Sequence, residues 1–229
     1  IRQNGKIAIT LKEDDELVAV KLTSGSNQII IGAANGKAVR FDERGVRAMG
    51  RNATGVKGIE IAEDAKVVDI TTSIEGDKLL VLTTTGYGKI SYTKDTDITD
   101  ENGVTRHYDG YRLTTRGAKG VLSLKTSGKN GEITAMRGIN GDEDLMVITN
   151  KGIVIRTPIN QIKIAGRNTQ GVKIINLEPH NKVAAITIVP HVDESEEIEE
   201  TPIIEDEINP SLIAPTEEEI DVVTPDEVE

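Results

Sequence analysis

The chain has no cysteine and no tryptophan, and its 229 residues include one Phe and four Tyr. Without thiols, a disulfide scaffold and a thiolate metal site are both excluded. With so few aromatics, the core must be built from Ile, Val, Leu and Ala, residues that favour short, mutually covered strands. No stretch approaches the roughly 18 to 20 consecutive apolar residues of a membrane span, so a soluble chain with no membrane partner is expected. The opening Ile1-Arg2-Gln3-Asn4-Gly5 lacks Met and any basic region leading into an apolar core. Nothing there marks the chain for secretion, and the cytoplasm is the default.

Basic residues are also missing from one long region. Residues 193–229 hold 16 acids and no Lys or Arg, which leaves 22 acids against all 27 basic residues in 1–192. The overall charge of −11 therefore hides a body near +5 and a tail near −16. Such asymmetry suggests a polyanion-binding body with an acidic appendage. The tail also carries Pro202, Pro210, Pro215 and Pro225 among runs such as Glu217-Glu218-Glu219. That mixture buries too little apolar surface to offset chain entropy, so 193–229 reads as disordered. It is either a solubilising tail or a competitor for the body's cations.

Self-similarity organises the body. One unit runs Gln28-Ile29-Ile30-Ile31, Asn35-Gly36-Lys37-Ala38-Val39-Arg40-Phe41, Met49-Gly50-Arg51-Asn52-Ala53-Thr54-Gly55-Val56-Lys57-Gly58-Ile59 and Lys66-Val67-Val68-Asp69-Ile70. The last echoes it with Leu145-Met146-Val147-Ile148, Lys151-Gly152-Ile153-Val154-Ile155-Arg156, Ala165-Gly166-Arg167-Asn168-Thr169-Gln170-Gly171-Val172-Lys173 and Lys182-Val183-Ala184-Ala185-Ile186. Between them lie Leu79-Leu80-Val81-Leu82, Gly86-Tyr87-Gly88-Lys89-Ile90 and Arg116-Gly117-Ala118-Lys119-Gly120-Val121. Gly5, Gly55, Gly120 and Gly171 are spaced by 50, 65 and 51 residues, so the middle unit holds an insertion of about 15, placed near Asp95 to Gly110. The units are 1–25 (a half), 28–73, 78–138 and 144–190, as if the chain began in mid-repeat of a longer protein.

Short aliphatic runs between Gly, Asn and Asp turns indicate about four antiparallel strands per unit. The fold class is all-β, a propeller of four-stranded blades with about three and a half repeats present, over residues 1–192. A β-sandwich would not require near-identical Gly-Arg-Asn-x-x-Gly-Val-Lys strings.

The basic residues in those strings are the binding candidates. Arg51, Arg116 and Arg167, with Lys57, Lys119 and Lys173, recur once per unit, and a second set follows the first hairpin at Lys37, Arg40, Lys89, Lys151 and Arg156. Arg2 belongs to the leading half-unit. Evenly spaced cations on a curved rim suit the phosphates of duplex DNA. The alternative is that they only keep a repeated surface soluble. Catalysis finds no support, because His107, His180 and His191 are isolated, with no paired metal spacing and no Ser-His-Asp arrangement. Asp97 to Gly103 lacks the full calcium-loop pattern, and Gly86-Tyr87-Gly88-Lys89 lacks the Walker spacing and a following helix. Scarce aromatics also argue against stacking on single strands.

At these residues the sequence closely resembles the C-terminal DNA-wrapping domain of the A subunit of bacterial DNA gyrase, a type II topoisomerase. The match covers 1–190, including Arg2-Gln3-Asn4-Gly5 with Glu13-Asp14-Asp15-Glu16-Leu17, and is most specific at the strings around Gly50 and Gly166. The resemblance implies a β-pinwheel, a ring of about six blades that exchange strands, whose basic rim bends duplex DNA. It implies a non-catalytic part of an A2B2 holoenzyme shared with the B subunit of gyrase, using ATP and Mg2+ through other domains. No cofactor or metal is expected in this chain, and none of Tyr87, Tyr92, Tyr108 or Tyr111 is expected to be catalytic. One departure stands out. The family's basic box, Gln-Arg-Arg-Gly-Gly-Lys-Gly, has no match, and Thr115-Arg116-Gly117-Ala118-Lys119-Gly120 is only an echo in a different unit. The equivalent domain of topoisomerase IV therefore stays open as an alternative, and a protein-binding propeller as one of another class.

Overall fold

The computed structural model describes residues 5–63 and 65–192, so Arg2 and the acidic tail at 193–229 lie outside the described residues. All elements fall in the first of the two units into which the chain divides, which ends at His191. In chain order the strands are β1 (Gln28–Ala33), β2 (Lys37–Asp42), β3 (Val67–Thr72), β4 (Lys78–Thr83), β5 (Tyr87–Tyr92), β6 (Thr96–Thr99) and β7 (Thr105–Tyr108). They continue with β8 (Leu113–Thr114), β9 (Val121–Leu122), β10 (Ile133–Ile139), β11 (Glu143–Thr149), β12 (Val154–Pro158), β13 (Val172–Lys173) and β14 (Val183–Pro190). Two short 3-10 turns, Glu43–Gly45 and Ile159–Gln161, follow β2 and β12. Among the described residues there is no α-helix, and so none long and apolar enough to cross a membrane.

Each unit builds the same core piece. Its first two strands form a hairpin, and its last strand returns antiparallel to the first: β2-β1-β3, β5-β4-β10 and β12-β11-β14. Tight turns at Gly36 and Gly86, both at positive φ, let the hairpins close. A side chain at Gly36 would meet the Leu124 carbonyl oxygen at 2.3 Å, so glycine there also admits the next unit's backbone.

The fourth strand comes from the following unit. The stretch carrying β8 and β9 lies along β2, with Leu113 and Thr114 parallel to Arg40 and Phe41, and with Val121 and Leu122 antiparallel to Ala38 and Lys37. One unit later the arrangement recurs on β5, where Ile164 pairs in parallel with Ile90, and Val172 and Lys173 pair with Gly88 and Tyr87. Strand exchange between blades, which the resemblance implied, is thus built into both complete junctions. The third sheet has three strands among the described residues, and Val154 on its outer strand is 54 % exposed.

Inner contacts reinforce these exchanges. The buried Asp69 carboxylate on β3 accepts from Met136 N at 3.1 Å and pairs with Arg137, while Thr71 Oγ1 accepts from Gly138 N at 3.0 Å. Leu79, Leu80, Val81 and Leu82 on β4 are fully buried because the two faces of the strand enter different core clusters, Leu80 and Leu82 one with Leu145 and Val147, and Leu79 and Val81 another with Ile30 and Met136. Each such side chain contributes about 1.5–3 kcal/mol by leaving water. The leading half-unit departs from expectation. Over residues 5–26 no strand forms, and Ile7, Val20 and Leu22 stay exposed.

The expected insertion is a hairpin of its own. Strands β6 and β7 pair only with each other, and they stand where the other units have a 3-10 turn.

Candidate nucleic-acid interface

The outer segments, roughly 46–59, 112–124 and 163–175, carry the Gly-Arg strings, and the last two are donated to the preceding hairpin. Gly55, Gly120 and Gly171 all take positive φ, so they supply a backbone conformation that other residues adopt poorly. At Gly120 a side chain would also strike Ala38 O at 2.4 Å, and at Gly171 it would strike Gly88 O at 2.6 Å. These glycines seat the outer segment against the preceding blade.

Two of the sequence-level candidates are withdrawn from the surface. Lys89 occupies the place of Val39 and Ile155 on the inward side of its strand and is fully buried. Its ammonium donates to Gly166 O, to Arg167 O at 2.6 Å and to Thr169 Oγ1 at 3.1 Å, so it pins the next unit's Gly-Arg turn from beneath. Burial, and then the Arg167 guanidinium nearby, bring its pKa down to about 7. Arg40 is also buried, donating through Nη1 to Thr93 O at 2.9 Å and Tyr111 O at 2.7 Å, and through Nε to Gln28 Oε1 at 2.9 Å. Neither can reach a phosphate, because each is already surrounded by internal acceptors.

The rest of the described set is accessible. Lys37, Arg51, Lys57, Lys119 and Lys173 are exposed, and Lys151 is exposed with Glu178 at 3.9 Å. Arg156 is exposed but anchored, Nε donating to the buried Asp144 carboxylate at 2.7 Å. Arg116 lies on the surface and donates from Nε to Gly45 O at 3.1 Å and from Nη1 to Lys57 O at 3.4 Å. Arg167 is half-buried: its Nη1 donates to Leu122 O at 3.4 Å and its guanidinium lies 5.7 Å from the Tyr111 ring centre. Burial pushes the Tyr111 phenol up to about 12, and its hydroxyl sits 2.6 Å from Ser123 Oγ.

The lysines do not recur as regularly as the arginines. Counted from the three glycines, Lys57 and Lys173 are equivalent, but the middle unit has Leu122 there, and Lys119 sits where the others have Thr54 and Gln170. A more regular set was missed. Arg47, Arg112 and Lys163 each lie eight residues before a repeat glycine, all are exposed, and none makes a side-chain hydrogen bond or ion pair among the described residues. The pairings of Leu113 with Arg40 and of Ile164 with Ile90 fix this register. Counting backward from the glycines would have found it, but the residues immediately on either side, Val46 and Ala48, Tyr111 and Leu113, Ile162 and Ile164, differ from unit to unit.

Among the described residues, one group has the spacing to hold a metal ion. Asp95, His107 and Asp109 at the base of the β6–β7 hairpin bring ligand atoms within 4.8 Å of one another, and all are exposed. His107 Nδ1 is already 2.6 Å from Asp97, whose hydrogen bond raises the imidazole pKa.

Comparison with known proteins also divides the chain into four segments of one domain family. A family model described as the DNA gyrase C-terminal domain, beta-propeller, matches residues 1–24, 27–73, 109–140 and 143–190. The DNA gyrase A subunit of Ureaplasma parvum serovar 3 is 45 % identical over 188 residues, covering 82 % of this chain and 21 % of that protein. The DNA gyrase A subunit of Staphylococcus aureus strain MRSA252 is 39 % identical over 209 residues, covering 90 % and 22 %. The chain thus spans about a fifth of the length of these relatives. Among solved structures, a DNA gyrase A C-terminal domain aligns with a TM-score of 0.68 at 21 % identity, covering 82 % of this chain and 59 % of that one. A C-terminal domain of DNA topoisomerase IV aligns with the same TM-score at 25 % identity, covering 80 % and 53 %.

Proposed function

The chain belongs to the DNA gyrase C-terminal domain family, and from that premise we propose that it is a non-catalytic duplex-binding module that bends DNA around its outer rim. The observation that carries this reading is the row of exposed cations at matching distances from the repeat glycines in three units, with the strand register shown at two of them. Phosphate recurs along a duplex as these cations recur along the arc, and each neutralised phosphate adds a salt-dependent increment of affinity. Bending a site of 20–30 bp costs about 1–6 kcal/mol, which added backbone contacts offset. Sequence preference is slight, because phosphate contacts carry no base information.

On this reading the module serves ATP-dependent negative supercoiling by a cytoplasmic, chromosome-associated A2B2 assembly that includes the B subunit of gyrase. ATP, Mg2+ and the reacting groups act in other domains. The contacts include Lys37, Arg51, Lys57, Lys119, Lys151, Arg156 and Lys173, with Arg116 and Arg167 partly engaged inside the protein and Arg2 carried over from the repeat. The equal likeness to a topoisomerase IV domain supports a second reading within the family, in which the duplex is bound but wrapped weakly.

The test is ligation of nicked circular DNA in the presence of the intact protein, with and without residues 1–192. Loss of a handed linking shift on deletion supports wrapping. Binding without any shift favours the topoisomerase IV reading, and no salt-dependent binding attributable to these residues favours a protein-binding propeller.

A further inference from the structure

One backbone bridge recurs three times between consecutive outer segments. Thr10 N donates to Ala53 O at 3.2 Å, Glu60 N to Ala118 O at 3.0 Å and Lys125 N to Thr169 O at 2.9 Å. Every donor lies five residues after a repeat glycine and every acceptor two residues before the next one. The outer segments therefore touch one another at a fixed repeat position, as well as covering the blades beneath.

The arginine of the Gly-Arg string works at this contact. Arg116 reaches Lys57 O, and Arg167 reaches Leu122 O, each from Nη1 at 3.4 Å. Lys57 and Leu122 are the same repeat position, two residues past Gly55 and Gly120. Arg116 also holds Gly45 O, and Arg167 lies over the buried Tyr111 ring, so both guanidiniums bridge one unit to the next. Lys89 supports the second junction from below by holding the carbonyls of Gly166 and Arg167. Arg51 is an internal control. Its preceding unit is the uncovered half-unit, and it makes no side-chain hydrogen bond or ion pair among the described residues.

Arg47, Arg112 and Lys163 contrast with these arginines at every point. They recur once per unit, four residues earlier, and are exposed and unengaged among the described residues.

The geometry assigns the two sets different work: Arg116 and Arg167 clasp consecutive outer segments together, and Arg47, Arg112 and Lys163 are the repeated contacts to duplex phosphates. The second half rests on the duplex-binding reading above; the first does not. The clasp arginines are positioning residues, because they fix the spacing at which the free cations are presented. A guanidinium suits the clasp, since its rigid fork can serve two acceptors at once, whereas a lysine ammonium is a flexible point charge.

Two variants of the intact protein separate the roles. Arg47→Gln/Arg112→Gln/Lys163→Gln removes the free charges, and Arg116→Lys/Arg167→Lys keeps the charge but removes the fork. Both are measured by duplex binding across a salt series and by peptide-level hydrogen exchange. The triple variant is expected to reduce the slope of log affinity against log salt by about 0.9 per lost contact, up to about 2.7, with exchange unchanged. The double variant is expected to keep its slope and to exchange at least about tenfold faster in peptides holding Glu60, Gly117 and Lys125. An unchanged slope in the triple variant overturns the contact assignment, and unchanged exchange in the double variant overturns the clasp. If the parent protein shows no salt-dependent binding through these residues, the duplex-binding reading itself fails, while exchange still decides the clasp.

Discussion

Lys89 shows how little a residue's type says about its task. In sequence it is one more cation after a hairpin turn, but strand alternation turns it inward, to the place that Val39 and Ile155 fill elsewhere. Three acceptors surround its ammonium, which favours the charge, while burial opposes it and leaves the pKa at about 7. An unfolded lysine titrates near 10.4, so between these values the unfolded chain binds more protons and stability rises with pH, by at most about 1.4 kcal/mol per unit. Chemical unfolding at pH 6 to 10 should show this rise in the parent protein, and Lys89→Met should flatten it; the same rise in both would assign it to another group. His107 has the opposite sign. Its raised pKa comes first from the Asp97 hydrogen bond, so its contribution to the β6–β7 hairpin is full below about 6.5 and fades as pH rises through the folded-state value. Asp97→Asn should lower the His107 pKa in an NMR titration, and an unaltered midpoint would contradict that cause. Such tasks were illegible beforehand because they depend on which strand face a residue occupies and on what the next unit places over it.

At the scale of elements the repeat glycines carried most of the legible information. Their spacing marks out the three units whose hairpins the structure shows, and the β6–β7 hairpin falls within the span assigned to the insertion, whereas the leading half-unit forms no strand over 5–26. What the spacing could not reveal was where each outer segment goes, since pairing with the preceding unit's hairpin is a non-local choice. The two kinds of glycine test that choice. Gly55 and Gly120 share a positive φ, but a side chain at Gly55 meets only Ile9 Cδ1 at 3.9 Å, whereas at Gly120 it meets Ala38 O at 2.4 Å. Gly55→Ala should therefore lose about 1–2 kcal/mol, the cost of left-handed backbone alone. Gly120→Ala should lose more, roughly an additional 1–3 kcal/mol as overpacking displaces the outer segment. Equal losses in chemical unfolding would mean that the segment is not seated on β2. The hairpin gives a third expectation at this scale. Because β6 and β7 pair only with each other among the described residues, replacing 95–109 by a short turn should shift Tm by no more than about 2–4 °C, the equivalent of about 1 kcal/mol in a domain of this size.

At the scale of the whole molecule, a repeated basic string read from the sequence meets strand exchange seen in the structure. Exchange makes each blade depend on the next, so the rim is a continuous band of linked segments, and cations spaced along it keep their separation when a stiff polymer is bent against them. The acidic tail at 193–229 lies outside the described residues, and its charge of about −16 against a body near +5 remains a sequence-level observation. The most direct test of the central claim is the salt dependence of duplex binding by the intact protein, with nicked circles ligated at saturation to record linking number. Wrapping on the rim predicts a steep loss of affinity with salt and a linking shift of one sign, both abolished when residues 1–192 are removed. Salt-independent binding, or a linking shift that survives that deletion, would contradict it.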